Sequence, residues 1–258
     1  MTTAEPRRCI FITGAASGIG RATALLFAER GWFVGALDVD ETGLGTLQAE
    51  SQIGLARRLD VTDPQDYRAA VAAFAEHTGG RLDILFNNAG IIASSPLDEA
   101  PWEAVERLLR INLFGVMIGM QTALPLLKAT PGSLCFSTCS ASAIFGSANL
   151  TAYSASKHAV KGLTEALSIE LKKHGVRAAD VLPGIVDTAM LPPETRAMLP
   201  PDGPWRLVTP REVAEVVWRA YDEDRIHWYV PPELKDFHLM AVSEPEKARD
   251  YFISLGRG

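Results

Sequence analysis

Short apolar runs alternate with helix-patterned stretches along nearly the whole chain, and this alternation restricts the possible folds more than any other feature. The run Cys9–Thr13 is followed by helical spacing over residues 18–30, and Phe33–Asp38 is followed by a helix over Glu41–Glu50. Strands that alternate with helices require crossover connections, which produce a parallel sheet covered on both faces. The strands of such a sheet are almost entirely apolar, as Ile84-Leu85-Phe86 is. The sequence therefore predicts a doubly wound parallel α/β sheet.

The same pattern continues through the rest of the chain. We predict further strands over residues 55–61, 84–89, 133–140, 176–182 and 226–230. We predict further helices over residues 63–77, 101–128, 152–174 and 210–221. This gives about seven strands with no internal repeat or linker, so we expect residues 1–258 to form a single domain. The segment 192–204 contains five prolines and is interpreted as a functional loop inside that domain.

Charge and composition exclude several classes of function. A formal net charge of −6 repels phosphate backbones, so nucleic acid is not an expected partner. The first eight residues are polar, and no run approaches the roughly 18 apolar residues that a membrane span needs. We therefore expect neither a signal peptide nor a membrane partner.

The cysteines and histidines predict no disulfide framework and no metal site. Cys9, Cys135 and Cys139 are odd in number and lack ligand spacing, and the five histidines are scattered. This usage is typical of a reducing compartment, so we expect a cytoplasmic protein.

A glycine-rich turn lies between the first strand and the first helix. Its glycines are Gly14, Gly18 and Gly20, with the spacing G-x-x-x-G-x-G. Glycines at this point permit a tight turn and let the N–H groups at a helix N-terminus face a phosphate. The alternative is an ordinary turn from strand to helix.

Asp38 gives that turn a second meaning, because it ends the second strand 18 residues after Gly20. An acidic residue about 20 residues after such a turn hydrogen-bonds the adenosine ribose in dinucleotide-binding folds. Its charge would repel the additional phosphate of NADP, and the next residue, Val39, is not basic. We therefore predict NAD, with NADP less favoured. The alternative is that Asp38 or Asp40 caps the following helix.

Four motifs in sequence order resemble the short-chain dehydrogenase/reductase family. They are T-G-x-x-x-G-x-G from Thr13, N-N-A-G over residues 87–90, Y-x-x-x-K from Tyr153 to Lys157, and P-G-x-x-x-T from Pro183. The resemblance implies a single-domain Rossmann-type doubly wound parallel sheet of about seven strands. It also implies that the dinucleotide-binding part spans about residues 7–184.

The resemblance also carries over individual site residues. Ser140 lies 13 residues before Tyr153, which is the family's spacing for its serine. The implied catalytic residues are Asn112, Ser140, Tyr153 and Lys157. The implied cofactor contacts are Gly14, Ser17, Gly18, Ile19, Gly20, Asp38, Asp60, Val61, Asn87, Ala89, Gly90, Tyr153, Lys157, Pro183, Gly184, Ile185 and Thr188.

The residue types at these positions suit proton transfer. Tyr153 and Lys157 are four residues apart on a helix and share one face, so the ammonium is expected to lower the pKa of the phenol. Ser140 would polarise the substrate oxygen. The resemblance implies that Asn112 holds a water that relays protons to Lys157. The alternatives are a core tyrosine with a solvated lysine, a serine bonded only to backbone, and an asparagine that satisfies a buried backbone group.

The predicted function is NAD-dependent hydride transfer between nicotinamide and a secondary alcohol or ketone, with a hydrophobic small molecule as substrate. Residues 189–205 are predicted to form a lid over the substrate. The alternatives are an NADP-dependent carbonyl reductase, a non-catalytic dinucleotide sensor and an epimerase or dehydratase. The last needs a larger C-terminal domain than the chain has. We expect a homo-oligomer, either a dimer or a tetramer. The tail after Trp228 departs from the family's V-D-G-G pattern, which many members use for a tetramer interface.

Overall fold

The centre of this computed structural model, which describes residues 7–191 and 193–254, is a sheet of seven parallel strands. The described residues contain nine strands, seven of them in this sheet: β1 (Cys9–Thr13), β2 (Phe33–Asp38), β3 (Leu55–Arg58), β4 (Ile84–Asn87), β5 (Leu134–Thr138), β6 (Arg177–Pro183), β7 (Ile185–Val186), β8 (Leu207–Val208) and β9 (His227–Val230). The order in the large sheet is β3-β2-β1-β4-β5-β6-β9, and β7 pairs with β8 separately. The predicted doubly wound parallel sheet is confirmed.

Helices cover both faces of this sheet. They are α1 (Gly18–Glu29), α2 (Glu41–Glu50), α3 (Pro64–Thr78), α4 (Trp102–Leu109), α5 (Gly115–Ala129), α6 (Thr151–Glu170), α7 (Pro193–Ala197), α8 (Pro210–Ala220), α9 (Leu234–Ser243) and α10 (Pro245–Ser254). Side chains alternate between the faces along a strand. Ile10 and Ile12 of β1 therefore pack under α1, α2 and α8, whereas Phe11 packs under α3 and α5.

Several helix boundaries follow from local sequence. The side chain of Asp63 accepts hydrogen bonds from the first N–H groups of α3, and Pro64 occupies the first helical position. Gly79 ends the helix with a left-handed backbone at φ 63°. The predicted start of this helix is therefore confirmed, with Asp63 as its cap.

The prediction of one uninterrupted helix over residues 101–128 is wrong, because the helix changes its geometry in the middle. A π-helical segment, Arg110–Phe114, separates α4 from α5. Such segments are single wide turns inside α-helices and often lie at functional sites. Asn112 lies in this segment and is fully buried.

The continuous helical stretch Trp102–Ala129 is 28 residues long, and an 18-residue window in it has a mean hydropathy of 1.3. By length and composition alone this stretch could cross a membrane. In the fold, α5 packs on β4, β5 and α3, and α4 packs on α6, which is the position of a core helix. This packing buries 39% of the apolar window, so it explains one face of the stretch and leaves Phe114 and Met117 exposed.

Two further predictions differ from the structure. The strand predicted over residues 55–61 ends at Arg58, because the side chain of Asp60 accepts hydrogen bonds from Thr62 and forms a turn. The tail after β9 forms a hairpin of two helices, α9 and α10. Its Phe237 and Phe252 pack into a third apolar cluster beyond the end of the sheet.

Candidate active site

The glycine turn after β1 has a geometry that requires glycine. Gly14 has φ 67°, and a Cβ there would lie 2.9 Å from the Cα of Ala89. A Cβ on Gly20 would lie 2.0 Å from the carbonyl oxygen of Gly14. Gly18 has φ 52° and faces the side chain of Thr188. The turn is therefore pressed against the end of β4, and Ser17 precedes the first residue of α1 as its N-cap.

A bridge of polar side chains, which the sequence analysis missed, holds this turn to the neighbouring strands. The hydroxyl oxygen of Thr13 accepts hydrogen bonds from the N–H groups of Asn88 and Ala89. The Asn88 amide donates to the carbonyls of Thr13 and Gly14 and accepts from the Thr138 hydroxyl. The sequence contained a signal for this bridge. In the N-N pair, Asn87 is the last residue of a buried strand and Asn88 is the first residue after that strand.

Asp38 and Asp40 have different roles at the end of β2. The carboxylate of Asp38 accepts hydrogen bonds from the N–H of Ala16, at 2.9 Å, and from the N–H of Asp40, at 3.0 Å. Asp40 is the residue that caps α2, through the N–H of Gly43. The capping alternative thus holds for Asp40 but not for Asp38. The Asp38 carboxylate is fixed beside the glycine turn, where a ribose would lie.

Three predicted cofactor residues turn their side chains into the body of the protein. Val61 is buried against Gly115, and the amide oxygen of Asn87 accepts a hydrogen bond from the Tyr67 hydroxyl. The carboxylate of Asp60 is engaged by Thr62. Val61 and Asn87 therefore have only their backbone to offer a cofactor, and Asp60 offers what its turn leaves free.

Ser140, Tyr153 and Lys157 meet where β5 ends and α6 begins. The side chain of Ser140 lies close enough to the Tyr153 hydroxyl to affect its titration. The ammonium of Lys157 lies 5.6 Å from the centre of the Tyr153 ring and donates to the carbonyl of Thr138 at 2.8 Å. Lys157 is 4% exposed, so the alternative of a solvated lysine is wrong.

Burial dominates the titration of this group. It raises the pKa of Tyr153 to about 12, while the neighbouring Ser140 side chain acts in the opposite direction. Burial likewise lowers the pKa of Lys157. The prediction that Lys157 brings the pKa of Tyr153 below its usual value is therefore wrong. Tyr153 is a protonated phenol at neutral pH.

Asn112 is bonded to the loop after β4. Its amide oxygen accepts the N–H of Ile91 at 2.8 Å, and its amide nitrogen donates to the carbonyl of Ile91 at 2.9 Å. The side chain thus satisfies a buried backbone group, as the structural alternative proposed. These bonds also hold Gly90 beside the ammonium of Lys157. A Cβ built on Gly90 would lie 3.7 Å from that nitrogen.

The end of β6 and the segment after it contain the remaining predicted cofactor contacts. Gly184 donates its N–H to the carbonyl of Val230, and Ile185 pairs with Leu207 in the small sheet. The methyl carbon of Thr188 faces Gly18 at the start of α1. Pro183 ends β6 and pairs with Val230 of β9.

Comparison with known proteins agrees with this geometry. The family model described as short chain dehydrogenase matches residues 8–198 of the chain. The chain belongs to the short-chain dehydrogenase/reductase family. It is thus an NAD(P)-dependent oxidoreductase that acts on CH–OH groups.

Curated members of this family resemble the chain over most of its length. The chain is 36% identical to a cyclohexanol dehydrogenase of an Acinetobacter species, over 83% of this chain and 87% of that protein. It is 38% identical to the cis-4-hydroxycyclohexanecarboxylate dehydrogenase of Sinomonas cyclohexanicum, over 84% and 90%.

Solved structures of the family superpose closely. The 3-ketoacyl-(acyl-carrier-protein) reductase of Brucella melitensis, complexed with NADH, has a TM-score of 0.79 at 29% identity, covering 86% of this chain and 96% of that one. A levodione reductase has a TM-score of 0.78 at 30% identity, covering 86% and 95%.

The residues of this chain fit the family's nicotinamide dinucleotide. Any side chain at Gly14 or Gly20 would collide with neighbouring backbone, so the turn is kept bare at the N-terminus of α1, where N–H groups attract phosphate. The carboxylate of Asp38 lies next to this turn, as a ribose contact requires. Beyond residue 198 the chain leaves the matched family region, and this part contains Trp205 and the hairpin of α9 and α10.

Proposed function

We propose that this short-chain dehydrogenase/reductase interconverts a secondary alcohol and its ketone with NAD, and that its substrate is a hydrophobic ring compound. The observation that carries the proposal is the meeting of Ser140, Tyr153 and Lys157 beside a bare glycine turn. The names of two relatives support the substrate class, because each denotes an alcohol on a cyclohexane ring. The complete set of three side chains argues against a non-catalytic sensor.

The bound dinucleotide supplies the hydride acceptor or donor. Ser140 hydrogen-bonds the substrate oxygen and stabilises the charge that develops there. Tyr153 gives a proton to that oxygen during reduction and takes it during oxidation. Lys157 holds its ammonium below the Tyr153 ring, and Asn112 keeps the Gly90 loop against that ammonium.

The preference for NAD rests on Asp38. Its two oxygens are already bonded to backbone N–H groups, which fixes the carboxylate at the end of β2. A phosphate on the adenosine ribose would meet this charge at close range. Val39 is exposed and offers no positive charge that would compensate. These features disfavour the alternative of an NADP-dependent carbonyl reductase.

A panel of alcohols tests the proposed function. We expect purified protein to reduce NAD with cyclohexanol or a substituted cyclohexanol, followed by the absorbance of the reduced nicotinamide. Sorbitol and glucose serve as polar comparisons, and NADP replaces NAD in a parallel series. Turnover restricted to the polar polyols would contradict the substrate class, and absence of turnover with every alcohol and ketone would contradict the reaction.

The segment after Thr188 is proposed to close over the substrate. Met190 and Met198 are 58% and 78% exposed, so their apolar side chains are available to cover a ring. The short helix α7 lies between them, and Arg196 pairs with Asp187 at 2.5 Å. Pro192 lies outside the described residues. Trp205, assigned to the lid from sequence, is buried among the C-terminal helices, so it marks the fixed end of the segment.

Closure predicts protection from proteolysis. We expect cleavage within residues 192–204 to slow when NADH and a cyclic alcohol product are both present, because the segment then packs on the ligand. Mass spectrometry of the fragments measures the rate at each site. Cleavage elsewhere, for example near exposed Ile226 ahead of β9, serves as the internal control. Equal rates with and without both ligands would contradict closure.

We infer that the protein acts in the cytoplasm as a dimer or tetramer. Phe114 and Met117 on the long helix and Ile169 on α6 are 50%, 46% and 78% exposed. Apolar side chains at such exposure favour burial by another subunit. Light scattering of purified protein measures the assembly, and a monomer mass at micromolar concentration would contradict the inference.

A further inference from the structure

The C-terminal hairpin contacts the loop that follows Ser140. Phe252 of α10 stacks on Phe145 of this loop, with ring centres 5.8 Å apart and planes 14° from parallel. Phe237 of α9 packs edge-on against Phe252 at 5.6 Å. Aromatic contacts of this kind contribute beyond the apolar area they bury. The hairpin is thus joined to the loop through one face of Phe252.

Both chain neighbours of Ser140 are buried in the same cluster as these rings. Cys139 is 1% exposed and Ala141 is 8% exposed, and both pack in one apolar cluster with Phe237 and Phe252. The thiol of Cys139 donates to the carbonyl of Lys157 at 3.1 Å, which ties this cluster to α6 as well. The position of Ser140 is therefore defined on each side by residues that the hairpin covers.

Local structure alone gives the loop little rigidity. Ser140 begins a 3₁₀ turn of only three residues, Ala141–Ala143, and its hydroxyl oxygen accepts the N–H of Ser142 at 3.1 Å. Short turns of this type have weak hydrogen-bond geometry. The turn must therefore be kept in place by the packing of Ala141, Ala143 and Ile144, which all lie in the hairpin's cluster.

The same hairpin also contacts Trp205, which is the fixed end of the segment after Thr188 that is proposed to close over the substrate. The indole N–H of Trp205 donates to the hydroxyl of Tyr251 at 3.0 Å, and its ring packs edge-on against Phe237 at 5.2 Å. One small structure thus connects the loop of Ser140 on one side with the end of the closing segment on the other. It lies beyond residue 198, where the family model ends.

We propose that Phe252 is a positioning residue for catalysis, which holds Ser140 beside Tyr153 through the stacked ring of Phe145. The proposal rests on the proposed function, because it assigns Ser140 its role on the substrate oxygen. Misplacement of a reacting group by about 1 Å costs on the order of a hundredfold in rate. We therefore expect Phe252→Ala to lower kcat about tenfold or more.

A double-mutant cycle separates positioning from general destabilisation. Ser140→Ala, Phe252→Ala and the double variant are compared for kcat with NAD and cyclohexanol, or with the best alcohol of the panel. We expect Ser140→Ala to lower kcat about a hundredfold, as the loss of one such donor does. In that background Phe252→Ala should change kcat less than about twofold, because the group it positions is gone. The affinity for NADH, measured by fluorescence, should stay within about twofold of wild type, since no residue of the glycine turn packs in the apolar cluster of α10.

The matched control is Ile253→Ala, because Ile253 is the next residue of α10 and is 57% exposed. It should leave kcat unchanged. Phe252→Leu replaces Phe252→Ala if the latter does not fold, and single-turnover rates at high enzyme concentration replace steady-state rates if the turnover of Ser140→Ala is too low to measure.

Equal fold-losses from the Phe252 change in both backgrounds would overturn the positioning role and leave the proposed function intact. Wild-type turnover in Ser140→Ala would overturn both.

Discussion

Replacing Tyr153 with phenylalanine should lower turnover by at least about a hundredfold, the scale of a positioned acid–base group. The substitution removes one hydroxyl, which lies beside the side chain of Ser140. The ring remains to pack above Lys157, so the fold and the affinity for NADH should be retained. Steady-state rates of cyclohexanol oxidation and NADH binding by fluorescence measure the two quantities.

Tyr221→Phe is the matched control for this experiment. The Tyr221 hydroxyl donates to Asp83 at 2.8 Å, beside the first residue of β4, so the control also deletes a bonded phenol. It lies at the opposite end of the sheet from the active site. We expect a lower melting temperature with unchanged turnover in this variant. A Tyr153→Phe enzyme that retained a tenth of the wild-type rate would contradict the assignment.

The raised pKa of Tyr153 predicts the pH dependence of the two directions. With a pKa of about 12, the phenol is protonated throughout the neutral range. Ketone reduction needs the protonated form, so its rate should change little between neutral and mildly alkaline pH. Alcohol oxidation needs the ionised form, so its rate should rise with pH over the same interval. Profiles of kcat measured in both directions test this difference.

The double variant Asp38→Ala/Val39→Arg should reverse the cofactor preference. Hydrogen bonds to charged groups contribute roughly 1.5–3 kcal/mol, so loss of the carboxylate should weaken NAD binding about tenfold to a hundredfold. Val39 is 57% exposed, which leaves room for an arginine that pairs with the phosphate of NADP. The ratio of kcat/KM for NAD and NADP measures the change.

Asp40→Asn is the control for loss of charge in this region. Asparagine caps helices as well as aspartate does, so α2 should remain intact while one negative charge is removed. The cofactor ratio should stay close to that of wild type. Wild-type protein that bound NADP as tightly as NAD would show that Asp38 does not select the cofactor.

The fold was readable because its signals are local. The alternation of apolar strands and helices predicted the parallel sheet, and Asp63-Pro64 marked the start of α3. The glycine turn was readable for the same reason, because a positive φ and a close backbone approach leave glycine as the only residue without strain. Tyr153 and Lys157 share a helix face by spacing alone.

What the sequence could not give depends on contacts between distant segments. The side-chain direction of Asn87 is set by its hydrogen bond with Tyr67. The two hydrogen bonds between the Asn112 side chain and the Ile91 backbone are made from the π-helical segment. The pKa of Tyr153 was mispredicted because spacing reveals the nearby ammonium but not the burial that outweighs it.

The C-terminal part shows this division most clearly. The sequence indicated only that this tail departs from the family's pattern. The tertiary structure decided that Phe252 lies on Phe145 and that Trp205 packs in the hairpin's cluster. Residues about a hundred positions apart meet there because both bury apolar surface at the same end of the sheet. Burial of apolar surface does not depend on how far apart two residues are in the sequence.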